Sequence, residues 1–243
     1  MLWRALLGFA LSLAVAGAWA QTAVMPELSL YQEERVETIN YPGGSQGTFT
    51  TKSWIKGVKM RTDALEGQDI TIIRPDLGVV YNINGARKAY VETPLAIYRK
   101  ASKQSIAMMA GGDITYRWTG RTKKIGKWSC REVVVSEESN SVGQEMKTIW
   151  WVSKDIGLNK QIYRHIMSIA LGNEMDAATT KSLEKLTSID GYPVQQETSI
   201  KHHDLTIKQI HTLNKLEQKP IEDSTFDLPS GLTKIAVPVP EGF

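Results

Sequence analysis

The sequence predicts an α+β fold built on one antiparallel sheet. From Leu28 to Trp151 most of the chain consists of short runs rich in β-branched and aromatic residues, separated by Gly, Pro, Asn and Asp clusters. The connections between successive runs are of hairpin length, which is the grammar of a meander. Two stretches, Pro94 to Ala110 and Lys160 to about Leu186, instead space their apolar residues as helices do.

Leu28 to Ile39 leads into the turn Asn40 to Gly44, and Thr48 to Lys56 returns with Phe49, Thr51, Ser53 and Ile55 on one face. Lys59 to Asp63, Ile70 to Arg74, Val79 to Ile83 and Ala89 to Glu92 follow, divided by turns at Gly57, Glu66-Gly67-Gln68, Pro75 to Gly78 and Asn84 to Arg87. Pro94 suits the opening turn of the first helix, and Gly111-Gly112 ends it. Strands Ile114 to Thr119, Ser129 to Ser136 and Met146 to Ser153 come next. The second helical segment carries a stripe of Ile162, His165, Ile166 and Ile169, with Gly172-Asn173 as a break that favours two short helices. Val194 to Lys201 and Leu205 to Leu216 complete about ten or eleven strands. In the tail, Phe226, Leu228, Leu232 and Ile235 are suited to docking on the sheet, while 237–243 reads as a flexible end.

The N-terminus carries an export signal. Arg4 precedes an apolar run, and Ala18 and Ala20 supply the small residues of a cleavage site between Ala20 and Gln21. The run from Ala5 to Ala20 is 16 residues, shorter than the roughly 20 that span a bilayer. The expected organisation is a signal peptide over 1–20, a single domain over 21–236 and the tail. Removing residues 1–20, with Arg4 the only charged residue among them, leaves 28 basic and 26 acidic side chains. That near balance, with export to the periplasm, argues against nucleic acid as a partner. Cys130 is the only cysteine, so no intramolecular disulfide forms and the core must hold the fold.

Trp54-Ile55-Lys56-Gly57-Val58-Lys59-Met60-Arg61, Ile72-Ile73-Arg74-Pro75-Asp76 and Gly78 to Asn84 form an opening pattern. Thr148 to Leu158, Gly191-Tyr192-Pro193-Val194 and Phe226-Asp227-Leu228-Pro229 continue it in order. The whole resembles a family of uncharacterised bacterial envelope proteins related to the outer-membrane lipoprotein carrier superfamily, the LolA/LolB-like group. The resemblance implies a strongly curved sheet, a half-barrel, wrapped around helices, with interior volume able to hold acyl chains. It also implies lipid or lipoprotein cargo. In that superfamily an arginine holds a closed lid through backbone carbonyls, which makes Arg61 a candidate here. The acylated cysteine of the outer-membrane acceptor is missing.

Candidate ligand-binding residues are Trp54, Arg61, Ile72, Met108, Met109, Trp118, Trp150 and Trp151. Thioethers adapt to irregular ligands, though methionine at helical spacing more often faces a sheet. Adjacent Trp150 and Trp151 must point to opposite faces of a strand, so both faces are covered there. Arg61 equally suits a strand arginine whose stem lies on apolar surface. Arg117, Arg121, Lys123, Lys124, Lys127 and Arg131 surround the Gly120 and Gly126 turns, a tip suited to transient contact with anionic headgroups or simply to solvent. His202 or His203 could meet His211 across a hairpin, but zinc takes three or four protein ligands and no further one is placed, so no metal and no cofactor is expected. No nucleophile motif or phosphate loop frames a reaction, so no enzyme is expected. Two function classes remain: a soluble envelope protein binding a hydrophobic ligand, and a protein-protein interaction module with a filled core.

Overall fold

The computed structural model describes residues 25, 27–39, 47–109, 114–137, 144–156, 160–172, 177–202 and 205–236. The signal segment with its Ala20–Gln21 cleavage site and the 237–243 tail lie outside the described residues.

Twelve described strands form one sheet: β1 (Ser29–Ile39), β2 (Gly47–Lys56), β3 (Lys59–Ala64), β4 (Asp69–Arg74), β5 (Val79–Asn84), β6 (Ala89–Pro94), β7 (Ile114–Ile125), β8 (Trp128–Glu137), β9 (Gln144–Ser153), β10 (Tyr192–His202), β11 (Leu205–Gln218) and β12 (Thr233–Lys234). Three helices accompany them: α1 (Leu95–Met109), α2 (Lys160–Leu171) and α3 (Ala177–Thr187). The sheet order is β12-β6-β5-β4-β3-β2-β1-β11-β10-β9-β8-β7, so the sheet is open, with β12 and β7 at its edges. Its pairs are antiparallel except β12, which runs parallel to β6. That twelfth strand corrects the expected count; two residues are too few to show a period.

Bulges curve the sheet, because an extra residue on one strand bends it and raises the local twist. One lies where Leu213 and Lys215 straddle Asn214 opposite Glu33 and Glu34, and one lies beside Pro193. Proline has no N–H for the ladder, and the bulge lets it sit in a central strand. A third, at Gly120, lets β7 continue past a residue that the sequence reads as a turn. Gly191 is required where β10 begins: its φ is +129°, and a Cβ there would lie 2.6 Å from Val152 Cγ1.

Cross-strand register places Val80, Ile73, Met60, Ile55 and Leu30 on one face, with Val36, His211, Gln196, Trp150 and Val133. The helices cover this face at its two ends. Leu95 and Tyr98 of α1 and Ile162, Ile166 and Ile169 of α2 pack with Leu30, Ile55, Met60, Ile73 and Val80. Leu186 at the end of α3, with Ile189, packs with Val133, Val135, Trp150 and Val152. The second helical segment is indeed two helices. Pro94 ends β6 rather than opening α1. No helix among the described residues is long and apolar enough to cross a membrane.

The opposite, outer face of β2 to β6 is covered by the segment 219–236. Phe226, fully buried, packs with Ile72, Ile83 and Ile221, and Leu228 and Leu232 flank it.

Candidate functional site

Between the two apolar clusters, the helix-side face turns polar. On β1 the residues in phase with Leu30 and Val36 are Gln32 and Glu34. On β11 they are Gln209 and His211, and on β10 Gln196 and Thr198, which stand opposite His211 and Gln209. Tyr192 Oη donates to Gln32 Oε1 at 3.1 Å, and Gln32 Nε2 donates to Glu34 Oε1 at 2.7 Å. The chain of bonds then stops. His211 Nδ1 lies 4.0 Å from Glu34 Oε2, beyond hydrogen-bond reach.

His211 is 5% exposed, and neither ring nitrogen has a protein hydrogen-bond partner among the described residues. The same is true of Gln209 Oε1 and, two strands from His211, of Trp150 Nε1. Leaving such groups unpaired in the interior costs about 1–3 kcal/mol each. Burial pushes His211 down to about 4 and keeps it neutral; it pushes Glu34 up to about 7, against the hydrogen bond from Gln32. The band therefore offers an imidazole with one donor and one acceptor, an amide acceptor, an indole donor and a carboxyl group near its midpoint at neutral pH.

The sequence candidates divide between the faces. Trp150 is buried under Leu186 and Ile189, and Trp118 is half-buried beside it with Arg131 4.2 Å above its ring. Met108 and Met109 end α1, and their side chains lie outside the described residues. Trp54, Arg61 and Ile72 are on the outer face. Ile72 lies beneath Phe226. Arg61 pairs with Asp63 and donates to the Thr225 carbonyl at 3.1 Å, and Trp54 packs 5.4 Å from the Tyr31 ring. Trp151, opposite in direction to Trp150, is covered by Lys123, 4.0 Å from its ring, and donates to Glu197.

His202 stands opposite Leu205 while His211 stands opposite Gln196, so His202 does not meet His211; His203 lies outside the described residues. Cys130 is buried, and burial pushes its thiol up. An arginine holding backbone carbonyls on the helix side does exist. It is Arg99 of α1, which donates to the Ile169 carbonyl at 3.2 Å near the end of α2.

Sequence reasoning missed Gln32, Glu34, Gln196 and Gln209, although their phase was readable: each polar residue occupies the apolar phase of its strand. Elsewhere an open cleft of ≈ 470 Å³ lies between Met25, Leu28, Ile162 and Lys219. Another of ≈ 380 Å³ is lined by Lys123, Lys124, Arg131 and Lys154 beside Asp155 and Asp190.

No curated protein matches this chain. Among solved structures it is similar to a DUF1329 family protein from Desulfovibrio piger, at 11% identity over 92% of this chain and 96% of that one, with a TM-score of 0.25. It is also similar to a putative outer membrane lipoprotein-sorting protein domain from Vibrio parahaemolyticus, at 11% identity over 82% and 89%, with a TM-score of 0.26. Scores of that size carry no argument. The family model does: it matches residues 40–232, which take in all of β2 to β11 and the Phe226 anchor, and the chain belongs to the family described as Domain of unknown function (DUF4412).

Proposed function

We propose that this is a soluble periplasmic protein, exported and not catalytic, that binds an amphipathic ligand, a lipid, an acyl chain or a lipidated protein, between the sheet and the helices. The observation that carries this reading is the polar band, set between two apolar clusters, with buried atoms at His211 and Gln209 that have no partner among the described residues. A protein folding only for its own stability gains nothing from polar groups it leaves unpaired. A ligand with a polar end and an apolar chain satisfies both surfaces. A half-barrel wrapped around helices gives such a ligand room, since a helix that shifts on the sheet opens volume without breaking a strand pair.

The β7–β8 hairpin supports a role near membranes. Between Ile114 and Arg131 it carries six basic residues and no acidic one, and Arg117, Arg121, Lys124, Lys127 and Arg131 are exposed. Anionic headgroups attract such a tip by about 1 kcal/mol per basic residue near the surface.

Native mass spectrometry of protein exported in a bacterial host, with its signal intact, tests the reading. Co-purifying lipid, or saturable uptake of a fluorescent acyl probe, is expected. A clean apo mass with no uptake overturns it, and crosslinking to a single protein partner in that case would favour an interaction module.

A further inference from the structure

The polar band sets a condition on the ligand's head group. Helix-side positions of the central strands hold Gln32 and Glu34 on β1, Thr51 and Ser53 on β2, Gln209 and His211 on β11, and Gln196 and Thr198 on β10. No lysine or arginine stands among them. The basic residues of these strands fall on the other phase, where Arg35 pairs with Glu37 and Lys208 with Glu197. Of the helix cations, Arg99 is committed to the carbonyls near the end of α2. An anionic head group brought to His211 would lose its water and find neutral N–H donors on His211 and Trp150, no cation at the strand positions around it, and the Glu34 carboxyl group nearby.

An uncharged group that both donates and accepts fits what is present. A hydroxyl or carboxamide donates to Gln209 Oε1 while its oxygen accepts from the protonated ring nitrogen of His211, and a second hydroxyl donates to the other ring nitrogen. Resting on the ligand-binding reading above, we infer that the site selects an apolar chain bearing an uncharged, hydrogen-bonding head group, of the kind a monoacylglycerol carries, over the same chain bearing an anion. His211 and Gln209 are the selecting residues. They discriminate because each ends up paired by the right ligand and stays buried and unpaired with the wrong one.

The test uses the full mature chain and two probes sharing one acyl chain, 1-oleoylglycerol and oleate, each titrated by displacement of a fluorescent acyl reporter. Oleoylglycerol is expected to bind at least about tenfold more tightly than oleate. His211→Leu is expected to reduce that ratio to near one. Gln209→Met serves the same purpose if His211→Leu does not fold, circular dichroism being the check. Oleate binding as tightly as oleoylglycerol, or a preference unchanged by both substitutions, overturns the head-group assignment and leaves ligand binding standing. Binding of neither probe, with no displacement of reporter, overturns both.

Discussion

Across β2 to β6 the outer face is finished by the chain's own C-terminal segment, whereas across β1, β11 and β10 the helix-side face holds polar atoms without partners among the described residues. Both regions mix large apolar side chains with charged or polar ones, but the first pairs its arginines while the second leaves His211 and Gln209 Oε1 without partners among the described residues. Arg61 donates to Asp63 and the Thr225 carbonyl; Arg74 donates to Asp76 and the Phe226 carbonyl. Phe226 fills the space over Ile72 and Ile83. The outer groove, which holds the arginine and tryptophan that the sequence offers as ligand contacts, has an occupant already. The helix side is where unpartnered buried atoms remain among the described residues. Glu132 shows that this chain can satisfy a buried carboxylate when the role is structural: burial alone would raise it, yet hydrogen bonds from Arg121 and Thr119 hold it below its ordinary range. Glu34 has no such cation among the described residues.

The largest effect separating the regions is expected at Phe226. Phe226→Ala should cost about 3–5 kcal/mol of stability, read from urea midpoints, because it empties the groove that the segment exists to fill. Ligand affinity under native conditions should stay unchanged; a parallel loss of binding would mean that the outer groove belongs to the site.

Next comes pH. Glu34 titrates at about 7 in the folded protein against 4.5 ordinarily, so between these values the unfolded chain has released a proton that the folded chain keeps, and stability falls as pH rises. His211 titrates at about 4 against 6.5, so over that window the unfolded chain takes up a proton that the folded chain refuses, and stability falls as pH drops. The two slopes offset one another from pH 4.5 to 6.5. Glu34→Gln should leave only the loss on acidification, and His211→Asn only the loss on raising pH, each about 3 kcal/mol across its window. Urea unfolding from pH 4 to 8 reads both, and two variants with the wild-type profile would refute the assignment.

A smaller effect is expected at Arg74, whose side chain is 13% exposed: Arg74→Ala should destabilise by about 1–2 kcal/mol and raise protease cleavage within 219–236. The smallest is at Asp223, whose pairs with Lys56 and Lys59 are in water; Asp223→Asn should leave the urea midpoint unresolved from wild type.

Much of the architecture was legible in the sequence because strand length, turn residues and helical spacing are local signals. Ile162, His165, Ile166 and Ile169 face the core as their spacing requires, and Gly172, at φ +75°, separates the two helices as a left-handed residue does. Phe226 docks on the sheet because a large ring near the end of the chain has to be buried somewhere. Partnerships across the sheet were not legible. That Arg61 faces Thr225 depends on where a segment 164 residues away is laid down. The band was half legible: Gln32 and Glu34 sit on the phase of Leu30 and Val36, but only the register with β11 and β10 brings them to His211 and Gln196, and a bulge at Asn214 shifts that register.

The claim on which the rest depends is that His211 meets the ligand. The ¹⁵N resonances of its imidazole, followed while 1-oleoylglycerol is titrated into the labelled protein, test it most directly. Saturable shifts at both ring nitrogens of His211 are predicted, with His165, bonded to the Gly57 carbonyl, unchanged. Stoichiometric binding that leaves His211 unmoved would contradict the account.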